Sequence, residues 1–161
     1  MSAPCQTYYR NLENASAAAS WCRAGGYFAW TSTLEDHQGF GDLNIFYACL
    51  GNPAKPALLL IHGYPTSSYD FAALAEQLTT DYYVCVLDTP GHGFSDKPKG
   101  RYAYSILDDV RLVDHFIRNV ADLSHFTLLT HDKGNSVGLA LLQLYQAYAD
   151  YNDIMDLVED L

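Results

Sequence analysis

Three short apolar runs, 57–61, 83–87 and 126–130, contain no charged residue and limit the possible folds more than any other feature of the chain. Runs of this length suit strands buried on both faces, the condition met in a parallel sheet covered by helices. Helical stretches lie between and after them. Over 68–78, Phe71, Leu74, Ala75 and Leu78 fall at helical spacing. The next helix opens at Ser105, a good N-cap, with Asp108 three residues on at capping-box spacing. Its apolar stripe is Ile106, Val110, Val113, Ile117 and Val120, with Asp109, Arg111 and Arg118 off it. A last helix starts near Lys133 and carries Val137, Ala140, Leu141, Leu144 and Tyr148 on one face. Strand and helix alternating three times predict an α/β fold, a mostly parallel central sheet with right-handed crossovers. Ahead of these runs, 27–34 and 43–50 read as two strands joined across the polar turn 35–42, a hairpin.

Composition narrows the function classes. A net charge of -10 argues against a nucleic-acid partner, because phosphate recognition needs a basic stripe. Cysteines at 5, 22, 49 and 85 show no CxxC spacing, and Cys49 and Cys85 lie inside strand-like runs. Buried free thiols are the favoured reading, with no disulfide framework, no metal site and no cofactor expected. The N-terminus lacks a basic region followed by an apolar one, and no apolar run is long enough to span a bilayer. A cytoplasmic protein is therefore expected, and the sequon at Asn14 reads as chance. Residues 1–25 read as an extension containing a short helix or disordered chain. Residues 150–161 read as an acidic, solvated tail whose apolar residues fit a helical face better than a strand.

In open α/β sheets ligands bind beyond the carboxyl ends of the strands. Three segments lie there: 62–68 (HGYPTSS), 88–98 (DTPGHGFSDKP) and 130–134 (THDKG). The third follows a strand and opens a helix, with small residues two before and two after a central reactive one. That is the nucleophile-elbow pattern, with Thr130 and Gly134 flanking Asp132. A helix N-terminus behind a carboxylate favours its ionised, nucleophilic form. The plain alternative is an aspartate at a helix start, where Asp is common.

Together, HGYPTSSYDF, DTPGHGFSDKP and LLTHDKGNSV resemble the α/β-hydrolase superfamily over about 27–148. More narrowly they resemble its epoxide hydrolase and haloalkane dehalogenase branch, including the mesoderm-specific-transcript-like hydrolases. The resemblance implies an incomplete α/β-hydrolase fold: 26–149 would be the N-terminal part of the domain, with the 58–61 strand between the other two. It implies Asp132 as nucleophile, forming a covalent ester with a small-molecule substrate of the epoxide or ester class. It implies the backbone amides of Tyr64 and Lys133 as oxyanion donors, and His62, Gly63, Pro65 and Gly134 as residues shaping the loops. His62 and His131 are read as holding strand ends, Asp88 and Ser95 as fixing their own loop, and His92 as an exposed loop residue. Ser136 lies outside the elbow centre.

Two positions depart from the branch. Lys133 stands where a halide-binding Trp is usual, and Tyr64 where the halide-binding Asn stands. Either Lys133 lowers the Asp132 pKa or it points to solvent. No histidine follows His131, although in this fold the catalytic histidine comes after the nucleophile. The lid would likewise follow the last residue. The expectations are thus a hydrolase lacking part of its machinery or, alternatively, a catalytically silent truncated product or pseudoenzyme acting through binding. The 126–130 strand would be an exposed edge open to self-association.

Overall fold

The structure, a computed structural model, describes residues 16–159. The expectations for 1–15, the Asn14 sequon included, and for the last two residues lie outside it. Helix α1 (Ser16–Ala24) precedes strands β1 (Gly26–Trp30), β2 (Leu43–Leu50) and β3 (Ala57–Ile61). Helix α2 (Ala72–Leu78), β4 (Tyr83–Leu87), α3 (Ile106–His115), β5 (Phe126–Thr130) and α4 (Lys133–Glu159) complete the order. The sheet order is β1-β2-β4-β3-β5. β1 and β2 form the expected antiparallel hairpin at one edge, and β2 runs antiparallel to β4. β3 is parallel to both β4 and β5 and lies between them. No described helix is long and apolar enough to cross a membrane.

The apolar runs do what their lack of alternation implies. Leu59 and Leu60 point to opposite faces of the sheet and both are fully covered. Burying one such side chain contributes about 2 kcal/mol. One face packs Ile45, Leu59, Ile61, Cys85 and Leu87 against Val110, Val113 and Phe116 of the α3 segment and Val137 and Leu141 of α4. The other packs Phe46, Leu58, Leu60, Val84 and Val86 against Trp21 of α1 and Ala75 of α2. α3 and α4 are also clamped at the surface. The Arg118 guanidinium lies 5.2 Å and 5.1 Å from the Tyr145 and Tyr148 ring centres and binds Asp114 at 2.7 Å.

Several local expectations need correction. β1 stops at Trp30 rather than residue 34, because the chain turns away there to meet the start of α3. The Thr33 N–H and hydroxyl both donate to Asp108 Oδ1 at 2.9 Å. That contact occupies Asp108, so no capping box forms, and Ser105 holds the cap position without a side-chain bond. Asp109, placed off the apolar stripe by sequence, is buried, while Ile106 is exposed. The first turn of the 68–78 helix is of the tighter 3₁₀ type, Ser68–Phe71. α3 ends in a wide π-type turn, Phe116–Val120, with the Ala121 N–H donating to Phe116 O at 2.9 Å.

β5 is not buried on both faces. It is an edge strand of alternating burial, with Leu129 41% exposed. α4 continues unbroken through 150–159, so the backbone of most of the acidic segment is helical. The largest correction concerns the cysteines. Cys49 and Cys85 are register partners on β2 and β4, with Cα atoms 4.1 Å apart, and form a disulfide. Cys22 is also disulfide-bonded, and no described cysteine is free. Spacing along the chain hid this pairing because strand partners 36 residues apart meet only once the sheet forms.

Candidate active site

β5 ends at Thr130 and α4 begins at Lys133, so the chain reverses over two residues. The reversal puts Asp132 at φ 53°, a left-handed conformation uncommon for a residue with a side chain. Close packing sustains it. A Cβ on Gly63 would fall 2.4 Å from Asp132 Cβ, and one on Gly134 2.4 Å from Ile61 O. A Cβ on Gly138 would fall 2.7 Å from the side-chain methyl of Thr130. The His131 N–H donates to Ile61 O at 3.1 Å, tying the elbow to the end of β3.

The elbow and the 62–68 loop therefore meet. Asp132 Oδ1 accepts from the Tyr64 N–H at 2.9 Å and from the Lys133 N–H at 2.6 Å. These two bonds, Tyr64 first, hold the carboxyl below the usual carboxylate range. Among the described residues no hydrogen bond reaches Oδ2, and the residue is exposed. Tyr64, joined to Pro65 by a cis peptide, is 71% exposed, with its ring centre 6.4 Å from that of His92.

His62 links two loops. The Thr89 N–H donates to its Nε2 at 3.2 Å, so Nδ1 carries the proton and donates to Gly63 O at 2.9 Å. Burial lowers its pKa, which fits a neutral ring committed at both nitrogens. Asp88 does more than hold its own loop: it accepts from Ser68 N at 2.7 Å and Phe94 N at 2.8 Å, joining the 62–68 and 88–98 segments. Ser95 accepts from Phe46 N and donates to Asp88 O, fastening that loop to β2. His92 is half-buried rather than exposed. Its Nδ1 lies 3.1 Å from Pro90 O, and its ring centre lies 5.0 Å from that of His62. His131 and Ser136 are exposed.

Lys133 lowers the Asp132 pKa through its backbone N–H, while its side chain is not left in solvent. Its ammonium turns under the elbow to Asp109 Oδ2 at 2.6 Å. Sequence reasoning missed Asp109, although two consecutive aspartates inside an apolar helix were a signal. Among the described residues, no group of three or more His, Cys, Asp or Glu could hold a metal ion.

Comparison with known proteins identifies the fold family. The family model for the alpha/beta hydrolase fold matches residues 56–150. The mesoderm-specific transcript homolog protein of Bos taurus is 35% identical over 134 residues, covering 81% of this chain and 37% of that protein. Epoxide hydrolase 4 of Mus musculus is 29% identical over 106 residues, covering 64% of this chain and 28% of its own length. A crystal structure of an alpha/beta hydrolase fold protein from Burkholderia ambifaria superposes with a TM-score of 0.55 at 29% identity, covering 60% of this chain and 34% of that one. The chain thus spans about a third of the length of these relatives.

Proposed function

Because the chain belongs to the α/β-hydrolase family, we propose that it is the nucleophile-bearing part of an epoxide hydrolase-like enzyme with Asp132 as nucleophile. The observation that carries this reading is the division of labour between the two carboxylate oxygens. Oδ1 is held by two backbone N–H groups, while Oδ2 meets no donor among the described residues. A lone pair of Oδ2 attacks an epoxide carbon and the ring C–O bond breaks. Its electrons leave on the alkoxide, which takes a proton from solvent. The product is an ester whose carbonyl oxygen is Oδ1. When water attacks that carbonyl, the negative charge develops on the atom the two donors already hold. A serine at this position would leave an ether, which water does not readily cleave. The epoxide class also agrees with the name of one relative, epoxide hydrolase 4. A halide-binding role fits less well, because the Lys133 side chain is committed to Asp109.

All six histidines precede Asp132, and water activation by a later histidine is the rule in this fold. The 161-residue polypeptide is therefore expected to form the ester without turning it over. Incubation with styrene oxide should add the mass of one epoxide to the intact protein, and peptide mapping should place it on Asp132. The Asp132→Asn variant should gain nothing there. The labelling rate should stay flat as pH falls from neutrality into the ordinary carboxylate range and decline only below it, because the folded pKa is depressed. An adduct on another residue, or equal labelling of the variant, would point instead to a binding protein without covalent chemistry.

β5 is bonded only to β3 among the described residues, and Leu139 and Leu142 lie exposed on α4. We propose that the polypeptide self-associates through this edge. Light scattering should show dimers or larger species, more of them at higher salt as the charge of -10 is screened. Leu129→Lys should shift the population towards monomer. A wild-type monomer at all concentrations and salts counts against an edge interface.

A further inference from the structure

Lys133 makes two contacts in opposite directions. Its backbone N–H donates to Asp132 Oδ1 at 2.6 Å, and its ammonium sits 2.6 Å from Asp109 Oδ2. Both side chains are largely buried, 17% exposed for Lys133 and 6% for Asp109. Asp109 belongs to the first turn of α3, next to Val110 and one turn from Val113, both packed in the main core. The core therefore sets where its carboxylate stands.

A buried ion pair is a poor device for stability alone. Removing both charges from water costs about as much as their attraction returns, and two apolar side chains of similar size hold helices at least as well. Apolar contacts, however, have no preferred direction. The pair joins the first residue of α4 to α3 at the point where the chain leaves the left-handed turn at Asp132. The titratable groups acting on Asp109 are Lys133, His92, Asp108 and Tyr102, and of these Lys133 bonds to it. Burial raises the Asp109 pKa, so the carboxyl can take up a proton if the lysine is removed.

We propose that Asp109 is a positioning residue of the elbow: through Lys133 Nζ it fixes the first residue of α4 so that the Lys133 N–H stays aimed at Asp132 Oδ1. Oδ2 is then presented outward in one orientation. The geometry stands by itself, and only the rate consequence rests on reading Asp132 as the nucleophile.

The test compares the 161-residue chain with Lys133→Arg, which keeps the pair, and with the double variant Asp109→Leu/Lys133→Met, which replaces it by apolar side chains. Three measurements are made: thermal melting, the Asp132 carboxyl pKa by carbon-detected NMR, and the rate of adduct formation with styrene oxide. The double variant is expected to melt close to wild type. Its Asp132 pKa should rise towards the ordinary value as the N–H bond loosens. Its labelling should slow roughly ten- to hundredfold. Lys133→Arg should keep the Asp132 carboxyl below the ordinary carboxylate range, as in the wild-type chain. A folded double variant with wild-type Asp132 pKa and labelling rate overturns the proposal. Should the double variant fail to fold, Lys133→Met alone, which removes the ion pair and leaves the Asp109 carboxyl in place, supplies the comparison. If the wild-type chain forms no adduct, the nucleophile reading fails, and the pKa comparison still decides the positioning role.

Discussion

Replacing Asp108 by alanine is expected to destabilise the fold by on the order of 4 kcal/mol, although the residue lies outside the candidate site. Its Oδ1 accepts from the Thr33 N–H and hydroxyl, both at 2.9 Å. Its Oδ2 accepts from Ser32 Oγ at 2.8 Å and, more weakly, from the Tyr102 hydroxyl at 3.5 Å. Bonds to an ionised acceptor contribute roughly 1.5–3 kcal/mol each, and part exposure of the Thr33 donors reduces the sum. The loss would spread. Ser32 Oγ lies 2.6 Å from His37 Nδ1, and His37 Nε2 accepts the Ala103 N–H at 2.8 Å. The His37 ring stacks on Tyr102 at 4.0 Å. One carboxylate therefore secures the chain after β1, the loop before α3 and α3 itself. Urea unfolding should show the loss as a lowered midpoint. The Tyr102 phenol, raised above its ordinary range by burial and then by Asp108 and Asp109, should titrate lower in the variant. A change under about 1 kcal/mol would mean that packing, not this carboxylate, holds the loop.

Gly134→Ala is expected to cost about 3 kcal/mol and to stop labelling at Asp132. The added Cβ would lie 2.4 Å from Ile61 O and 2.8 Å from His62 O. Both obstacles are backbone at the end of β3, so no side chain can rotate aside. Relief requires α4 to withdraw from β3. That movement pulls on the His131 N–H bond to Ile61 O and separates the Tyr64 N–H from Asp132. Gly39→Ala is the control, since a Cβ there meets nothing within 4 Å. It should change stability by less than about 0.5 kcal/mol. Thermal melts of the two variants check the difference. Equal melting temperatures would show that β3 and α4 are not packed at this distance.

The parts legible in the sequence are those where local chain chemistry dictates local geometry. The three apolar runs announced the strands because each is too short and too uniform for a surface helix. The THDKG turn announced the reversal because its flanking residue Gly134 leaves room for the close approach to β3. What stayed hidden depends on partners distant along the chain. By spacing, Asp108 suits a capping box and Asp109 lies off the apolar stripe, ordinary places for aspartate at a helix start. Their actual partners, Ser32, Thr33 and Lys133, lie 24 to 76 residues away and meet them only through the sheet. The same holds for Cys49 and Cys85. The edge position of β5 follows the expectation, but its apolar residues suit a strand covered on both faces, and Leu129 is instead 41% exposed.

The Cys49–Cys85 bond has a consequence for strand choice. The chain between the two cysteines contains β3, yet in the sheet β3 lies outside the bonded pair, on the far side of β4. Once the sulfurs join, β2 is fastened to one edge of β4, and β3 can pair only with the other. Without that bond, a bare apolar strand such as β3 faces two open edges of β4 and can settle on either. The covalent link therefore works as a selection rule among competing pairings. It excludes the mispaired sheet in which the HGYP loop would emerge on the wrong side of β4, away from Asp132.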